Sequence, residues 1–343
     1  MGKMARIATI CQAGNFHKTI EGNLRHIMGL LDMTLQHQPD LVCLPEAFAT
    51  ASVDKPLEEV AEEIPGPIIE NIARKAREYS SYIICPLYTK REGKIWNSAV
   101  IIDRSGEICG IYDKIHPVTS SSDYTVFEGG VTPGSKIQAF DLDFGRIGIQ
   151  ICFDIGFTKT WEALARENAK MVVWCSAYNG GFALQAYAYL HHYYVVSSVR
   201  TDKSRIIDPL GNILDETDAL KNIAIRDINL DFVVSHYDFN YSIPDRIMKA
   251  YPNRVEVRSK KDDALFLVEP TDPTITVEHL KREFSFESAD EYHQRHIRAY
   301  QHIHKGEKPP PQRAPHGKRL QYSKTSDANA GTNRTFEKSS SRD

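Results

Sequence analysis

Residues 39–48 read Pro-Asp-Leu-Val-Cys-Leu-Pro-Glu-Ala-Phe. Within this stretch, residues 41–44 are a short apolar run that stops at a proline and a glutamate. Apolar runs of this length are typical of strands that are covered on both faces in α/β proteins. Upstream of this run, residues 6–11 are predicted to form a strand, and apolar residues recur at helical spacing over residues 20–35. The order strand, helix, strand predicts an α/β fold built outward from residues 39–48.

The same alternation of strands and helices continues to about residue 235. A second helix is predicted to start at Gly66-Pro67, because proline is favoured in the first turn of a helix. Hairpins are predicted around Arg104-Ser105-Gly106 and around Asp143-Phe144-Gly145. Alternation with inserted hairpins predicts layered helices and mixed sheets.

Composition excludes several classes of protein. The 343 residues include 42 basic and 45 acidic side chains, give a formal net charge of -3, and are 41% hydrophobic, which are ordinary globular values. Balanced charge disfavours a nucleic-acid partner. No run approaches the roughly 20 apolar residues that cross a bilayer. We therefore expect a soluble cytoplasmic protein that has neither nucleic acid nor membrane as a partner.

The cysteines and histidines indicate no metal site. The six cysteines are scattered, and no pair has the C-x-x-C spacing of a zinc site or a secretory disulfide framework. The pairs His191-His192 and His293/His296 lack acidic or cysteine partners at metal-ligand spacing. Cys152 stands apart from the other cysteines because it directly follows a predicted strand.

Three chemically active residues follow predicted strands, at the positions where an α/β sheet usually presents its site: Glu46, Lys114 and Cys152. A cysteine becomes a strong nucleophile as its thiolate, which a nearby base or cation favours. Glu46 would take the thiol proton and later activate water. Lys114 and the backbone N–H of Phe153 would stabilise the oxyanion of a tetrahedral intermediate. This chemistry is amide hydrolysis through a thioester.

Four ordered motifs resemble the nitrilase, or carbon-nitrogen hydrolase, superfamily. They are residues 39–48, the Tyr-Asp-Lys-Ile-His segment around Lys114, residues 148–154 around Cys152, and Asp-Pro-Leu-Gly at residues 208–211. The resemblance implies a four-layer αββα sandwich with two mixed β-sheets and a Glu-Lys-Cys triad at Glu46, Lys114 and Cys152. It also implies no metal or organic cofactor, a small-molecule amide substrate, and a homo-oligomer, a dimer or larger.

The family commonly has a second glutamate, between the lysine and the cysteine, that orients the substrate and the lysine. Asp123 and Glu128 compete for this place. The stretch from Asp123 to Gly130 resembles a family segment whose glutamate lies four residues before an aromatic turn, which favours Asp123 and leaves Glu128 in the turn. An insertion at residues 119–122 would shift this register. Ser176, Tyr178 and Asn179 follow a later strand and are candidates to line the substrate pocket, together with Phe153.

The residues around the nucleophile indicate the type of reaction. Nitrile-hydrolysing members usually carry Cys-Trp-Glu, so Cys152-Phe153-Asp154 favours the amidase and carbamoyl-hydrolase branch. Gly156 stands where members that bind acidic substrates often have an arginine, which disfavours a substrate held through that arginine. We expect hydrolysis of a non-peptide carbon–nitrogen bond in a small amide or N-carbamoyl compound, with release of ammonia. The alternatives are nitrile hydrolysis and a non-catalytic binding member of the same fold.

The composition changes near residue 235 and again near residue 305. We predict a hydrolase domain over residues 1–235 and an extension over residues 236–304 that packs on this domain or on a partner subunit. The extension is rich in aromatic residues, which is unusual for a free linker. Residues 305–343 are proline-rich and then polar, and we expect them to be disordered.

Overall fold

The computed structural model describes residues 4–315, and in them the chain forms two compact units. The larger unit is Met4–Leu230, and the described part of the smaller one is residues 231–315. Of the tail that we expected to be disordered, residues 305–315 contain no helix or strand, and residues 316–343 lie outside the described residues.

The larger unit contains two mixed sheets. Its strands are β1 (Met4–Ile10), β2 (Leu41–Cys43), β3 (Glu62–Glu63), β4 (Tyr82–Arg91), β5 (Lys94–Ile102), β6 (Ile108–Asp113), β7 (Ala139–Leu142), β8 (Gly145–Ile151), β9 (Met171–Ser176), β10 (Tyr194–Val199), β11 (Arg205–Ile207), β12 (Ile213–Glu216) and β13 (Ile223–Asn229). The first sheet has the order β13-β1-β2-β4-β5-β6, with β3 also paired to β4, and the second has the order β12-β11-β10-β9-β8-β7. In each sheet three central strands are parallel and the flanking pairs along this order are antiparallel, as the predicted hairpins require.

Helices cover the outer face of each sheet. The helices of this unit are α1 (Ile20–Leu35), α2 (Leu57–Val60), α3 (Pro67–Tyr79), α4 (Thr158–Arg166) and α5 (Ala183–His191). Apolar residues of α1 and α3 share a buried cluster with the first sheet, and those of α4 and α5 share one with the second. The predicted starts of α1 and α3 are confirmed: Thr19 caps α1 by accepting the N–H of Gly22, and Pro67 opens α3.

The inner faces of the two sheets meet, and polar side chains connect them. The Thr9 hydroxyl donates to the carbonyl of Ser197 at 2.7 Å, and the Ser198 hydroxyl donates to the carbonyl of Ile10 at 2.7 Å. Both contacts join β1 to β10, one strand from each sheet. The layers are thus helix, sheet, sheet, helix, and the predicted αββα sandwich is confirmed.

The smaller unit has a sheet and a core of its own. Its strands have the order β14-β16-β15, and its elements are β14 (Val233–His236), α6 (Ile243–Ala250), β15 (Val255–Lys260), β16 (Leu265–Pro270), α7 (Val277–Phe284) and α8 (Ala289–His304). The core includes Tyr237 and Phe266, with Tyr241 and Tyr251 packed against it. These aromatic residues therefore pack in the core of the extension itself. The larger compact unit ends at Leu230, and β14 falls in the smaller unit, where it pairs with β16.

Candidate active site

The three strand-end residues come from both sheets. Glu46 lies just beyond β2 and Lys114 directly follows β6, both in the first sheet, whereas Cys152 directly follows β8 in the second. Glu46 and Lys114 meet at 2.9 Å between Oε1 and Nζ. The charges of both residues act on the thiol of Cys152. The structure therefore brings these side chains together, as their positions after strands predicted.

A buried ammonium lies between two carboxylates. Lys114 is 1% exposed, and its Nζ donates to Oε1 of Glu46 at 2.9 Å and to Oε1 of Glu128 at 2.5 Å. Asn97 connects the same two carboxylates, because its Nδ2 donates to Glu46 Oε1 at 2.9 Å and to Glu128 Oε2 at 3.0 Å. Burial of a lysine is costly unless it is paired, and here both acids pair it. Sequence reasoning missed Asn97, which lies inside β5 and gives no signal beyond being polar in a buried strand.

The accessory carboxylate next to Lys114 is Glu128, and the expected placement of Asp123 is corrected. Thr119 pairs with Phe127 in an isolated antiparallel bridge, so the residues between them form a loop, with Asp123 exposed in it. The Asp123 carboxylate accepts the N–H and the hydroxyl of Thr125, at 3.2 and 2.7 Å. Glu128 directly follows the bridge, at the base of this loop.

Cys152 occupies a sharp turn from a strand into a helix. It has a φ of +45°, ends the path of β8 and opens a 3-10 helix over Cys152–Gly156. A non-glycine residue with positive φ is uncommon, and such conformations are found at functional sites. The indole N–H of Trp174 donates to the Cys152 carbonyl at 3.0 Å and fixes the turn.

The charges around Cys152 set which groups are ionised. Burial, and then the negative charge of Glu46, raises the pKa of the Cys152 thiol to about 11, although Lys114 opposes this rise. Burial also opposes ionisation of Glu46, but Lys114 and Arg200 outweigh it and hold the pKa of Glu46 below its ordinary value. Burial disfavours the cation of Lys114, yet Glu46, Cys152 and Glu128 raise its pKa. At neutral pH the site therefore contains a neutral thiol, a carboxylate ready to accept a proton, and an ammonium.

Reaction of Cys152 with methyl methanethiosulfonate, a small thiol reagent without an amide group, is expected to speed up with pH to about pH 11. Because the pKa of the thiol is about 11, the thiolate fraction should rise about tenfold for each pH unit between 7 and 10. Peptide mass spectrometry at several pH values measures this rate. A plateau close to pH 8.5, the ordinary cysteine value, would contradict the electrostatics described above.

The predicted pocket residues are distributed unevenly. Phe153 is 42% exposed and meets Phe157 edge-on, with ring centroids 5.5 Å apart. Ser176 is fully buried, and its hydroxyl accepts the N–H of Tyr178 at 3.1 Å. The Ser176 hydroxyl hydrogen-bonds the Cys152 sulfur, whereas burial and then the proximity of Cys152 raise the pKa of the Tyr178 hydroxyl.

Asn179 connects its own loop to the loop after β10. Its Nδ2 donates to Asp202 at 3.2 Å, and its Oδ1 accepts the N–H of Gly181 at 3.1 Å. Sequence reasoning did not place Arg200 beside Glu46, although Arg200 directly follows β10 as the other candidates follow their strands. The guanidinium Nη2 of Arg200 lies 3.9 Å from Oε2 of Glu46.

Two further findings apply to residues 4–315. In this range no group of three or more histidine, cysteine, aspartate or glutamate side chains is arranged to hold a metal ion. The helices of the same range are all too short or too polar to cross a membrane.

Comparison with known proteins shows the family of this chain. The family model for carbon-nitrogen hydrolases matches residues 7–236. The omega-amidase NIT2 of Bos taurus is 25% identical over 232 residues, which cover 61% of this chain and 83% of that protein. Nit3 of Saccharomyces cerevisiae, a member of branch 10 of the nitrilase superfamily, superposes with a TM-score of 0.58 at 18% identity, over 73% of this chain and 95% of that one.

A second solved structure is a variant of the amidase from Nesterenkonia sp. AN1, whose active-site cysteine carries the acetamide moiety of fluoroacetamide. It superposes with a TM-score of 0.57 at 17% identity, over 66% of this chain and 90% of that one. The family match spans all the strands that position Glu46, Lys114 and Cys152. The chain belongs to the carbon-nitrogen hydrolase family and is a hydrolase of non-peptide carbon–nitrogen bonds.

Proposed function

We propose that this protein hydrolyses a small amide or N-carbamoyl compound through a thioester on Cys152 and releases ammonia. The observation that carries the proposal is the buried cluster in which Glu46, Lys114 and Glu128 join at the turn that holds Cys152. Two named relatives support the choice of an amide: the omega-amidase of Bos taurus and the Nesterenkonia amidase, whose cysteine reacts covalently.

In the first half of the reaction, the Cys152 sulfur attacks the carbonyl carbon of the substrate while Glu46 takes the thiol proton. A general base is needed because the thiol pKa, about 11, leaves little thiolate at neutral pH. Lys114 and the backbone N–H of Phe153 stabilise the negative oxygen of the tetrahedral intermediate. The carbon–nitrogen bond then breaks, and the nitrogen leaves as ammonia with the proton that Glu46 holds. A thioester remains on Cys152.

In the second half, Glu46 takes a proton from water as the water oxygen attacks the thioester carbon. The carbon–sulfur bond breaks, the acid product leaves, and the proton returns to the sulfur. Glu128 accepts a second hydrogen bond from the ammonium of Lys114, beside that to Glu46, and so helps to fix the position of the charge in both halves.

The proposal is tested by measuring ammonia release from matched amides, N-carbamoyl compounds and nitriles. We expect turnover of an amide or a carbamoyl compound. Turnover of nitriles alone would contradict the amide assignment, which Phe153 and Asp154 favour over the Cys-Trp-Glu pattern of nitrile hydrolysis.

Glu128→Gln is expected to lower kcat about 100-fold, whereas Asp123→Asn should change it less than about twofold. Removing the Glu128 charge leaves buried Lys114 with Glu46 as its single carboxylate, and losing one charged hydrogen-bond partner of a buried cation costs a few kcal/mol, about 3 kcal/mol for a 100-fold effect. The two substitutions are matched, because each replaces an acid by its amide in the same segment. A larger loss in Asp123→Asn than in Glu128→Gln would restore Asp123 as the accessory carboxylate.

A further inference from the structure

Asp154 links the segment that carries Lys114 to the segment that carries Cys152. It is fully buried and lies two residues after Cys152, in the 3-10 helix that Cys152 opens. Its carboxylate accepts the hydroxyl of Tyr112 at 2.8 Å and the backbone N–H of His116 at 2.9 Å. Tyr112 and His116 lie two residues before and two residues after Lys114.

The Asp154 carboxylate has two more polar contacts. Nδ1 of His116 lies 2.8 Å from Oδ1 of Asp154, and the N–H of Ile151, which precedes Cys152, donates to Oδ2 at 2.9 Å. The His116 ring also stacks on Phe157, with centroids 3.6 Å apart and planes at 4°. One buried carboxylate therefore bonds to residues on either side of Lys114 in the sequence and to Ile151 at the end of the strand before Cys152.

These contacts matter because β6 and β8 belong to different sheets. Backbone ladders fix positions within a sheet but not between two stacked sheets, whose spacing depends on side chains. Hydrogen bonds to a buried carboxylate are shorter and stronger than neutral ones, so they suit this task. Asp154 therefore joins the residues on both sides of Lys114 to the strand end that precedes Cys152.

We propose that Asp154, through Tyr112 and His116, is a positioning residue that holds the Lys114 ammonium at the distance from Cys152 where it stabilises negative charge. The proposal rests on the catalytic roles of Lys114 and Cys152 given under Proposed function. It assigns no contact with substrate to Asp154.

A purely structural role for Asp154 makes the opposite prediction for the thiol. Burial is the largest cause that raises the pKa of Cys152, Glu46 raises it further, and Lys114 lowers it. If Asp154 only keeps this region closed, weakening its contacts admits water, lowers the thiol pKa and speeds reaction with a thiol reagent. If Asp154 positions Lys114, the ammonium is displaced, the thiol pKa rises and the reaction slows.

The test uses Tyr112→Phe in the full chain, which removes one hydroxyl and leaves Asp154 in place. Tyr193→Phe is the matched control, because that hydroxyl is also buried and has no hydrogen-bond partner within residues 4–315. We expect kcat for an amide to fall about tenfold in Tyr112→Phe with KM nearly unchanged. Tyr193→Phe should match the parent.

Methyl methanethiosulfonate gives the second readout, since the Cys152 thiolate attacks its sulfenyl sulfur, an S–S bond forms and methanesulfinate leaves. At pH 8 the reaction of Cys152 should slow about threefold in Tyr112→Phe, which corresponds to a rise of about half a pKa unit. The exposed Cys109 is an internal reference whose rate should not change. Tyr178 also lies near the Cys152 thiol, but it is the same residue in every variant and so cannot cause a difference between their rates.

A second pair of substitutions, at His116, tests the same role if Tyr112→Phe does not fold. His116→Ala loses the Nδ1 contact and the stacking on Phe157, whereas His116→Asn keeps an N–H close to the place of Nδ1. We expect His116→Asn to recover part of the kcat that His116→Ala loses.

Faster reaction of Cys152 in Tyr112→Phe, or an unchanged kcat in both Tyr112→Phe and His116→Ala, would overturn the positioning role. If Cys152 reacts more slowly in Tyr112→Phe than in the parent, but the parent releases no ammonia from any substrate tested, the positioning role is kept and the proposed function is refuted. The two proposals can therefore fail separately.

Discussion

Replacing Cys152 with alanine is expected to lower ammonia release by about 10⁴-fold or more, to the background of the assay. Without the sulfur no thioester forms, and the remaining groups can only orient a substrate. The protein should still fold, because Cys152 is only partly buried and the substitution removes a single sulfur atom.

Cys109→Ala is the control for this substitution, since Cys109 is exposed on β6 and far in sequence from the turn at Cys152. It should retain the activity of the parent. Ammonia release in Cys152→Ala within about tenfold of the parent would mean that another residue supplies the nucleophile.

Glu46→Gln is expected to lower kcat about 10³-fold, the range that general-base catalysis contributes. Glutamine has the size of glutamate and still offers an oxygen to the Nζ of Lys114, but it cannot take the thiol proton. Initial rates of ammonia release measure the loss. Glu59→Gln, at an exposed position of α2, is the matched control and should behave as the parent does. A loss smaller than about tenfold in Glu46→Gln would contradict the role of Glu46 as base.

The pH dependence of the parent follows from the same carboxylate. Lys114 and Arg200 lower the pKa of Glu46 against the effect of burial. The Glu46 carboxylate therefore stays ionised as the pH falls to about 4.3, the ordinary pKa of a glutamate, and below. The stabilisation that this carboxylate gives the folded state is present above the unfolded pKa and is lost as pH falls through the folded one. Activity should therefore decline only on the acid side of about pH 4.3, provided that the fold persists there.

Positions after strands singled out Glu46, Lys114 and Cys152 as candidates, and the family resemblance supplied their joint role. Each directly follows, or nearly follows, a short apolar strand, and parallel strands present their carboxyl ends at one edge. The layers could be predicted as well, because the apolar spacing of α1 and the runs of β2 and β8 depend on local sequence. Their agreement with a family resemblance fixed the architecture.

Other features depend on contacts between distant parts of the chain. The bridge between Thr119 and Phe127 decides that Asp123 lies in an exposed loop and Glu128 at Lys114. Similarly, β14 belongs to the extension only because β16 pairs with it. Neither pairing can be inferred from residue spacing, since loop register and strand partner are set by tertiary structure.

The thiol is a case where the structure changes the chemical expectation. A cation beside a cysteine favours the thiolate, but burial and Glu46 outweigh Lys114, and the pKa rises to about 11. Slow reaction of Cys152 with a thiol reagent at neutral pH is therefore compatible with catalysis. In the mechanism we propose, the proton leaves during attack on the substrate, when Glu46 can take it.

The most direct test of the account is rapid-quench mass spectrometry of the parent protein during hydrolysis of an amide. We expect the peptide that contains Cys152 to carry the acyl group of the substrate, together with one equivalent of released ammonia per acylated chain. In Cys152→Ala both signals should be absent. Ammonia release without an acyl adduct on Cys152, and its persistence in Cys152→Ala, would contradict thioester catalysis by this protein.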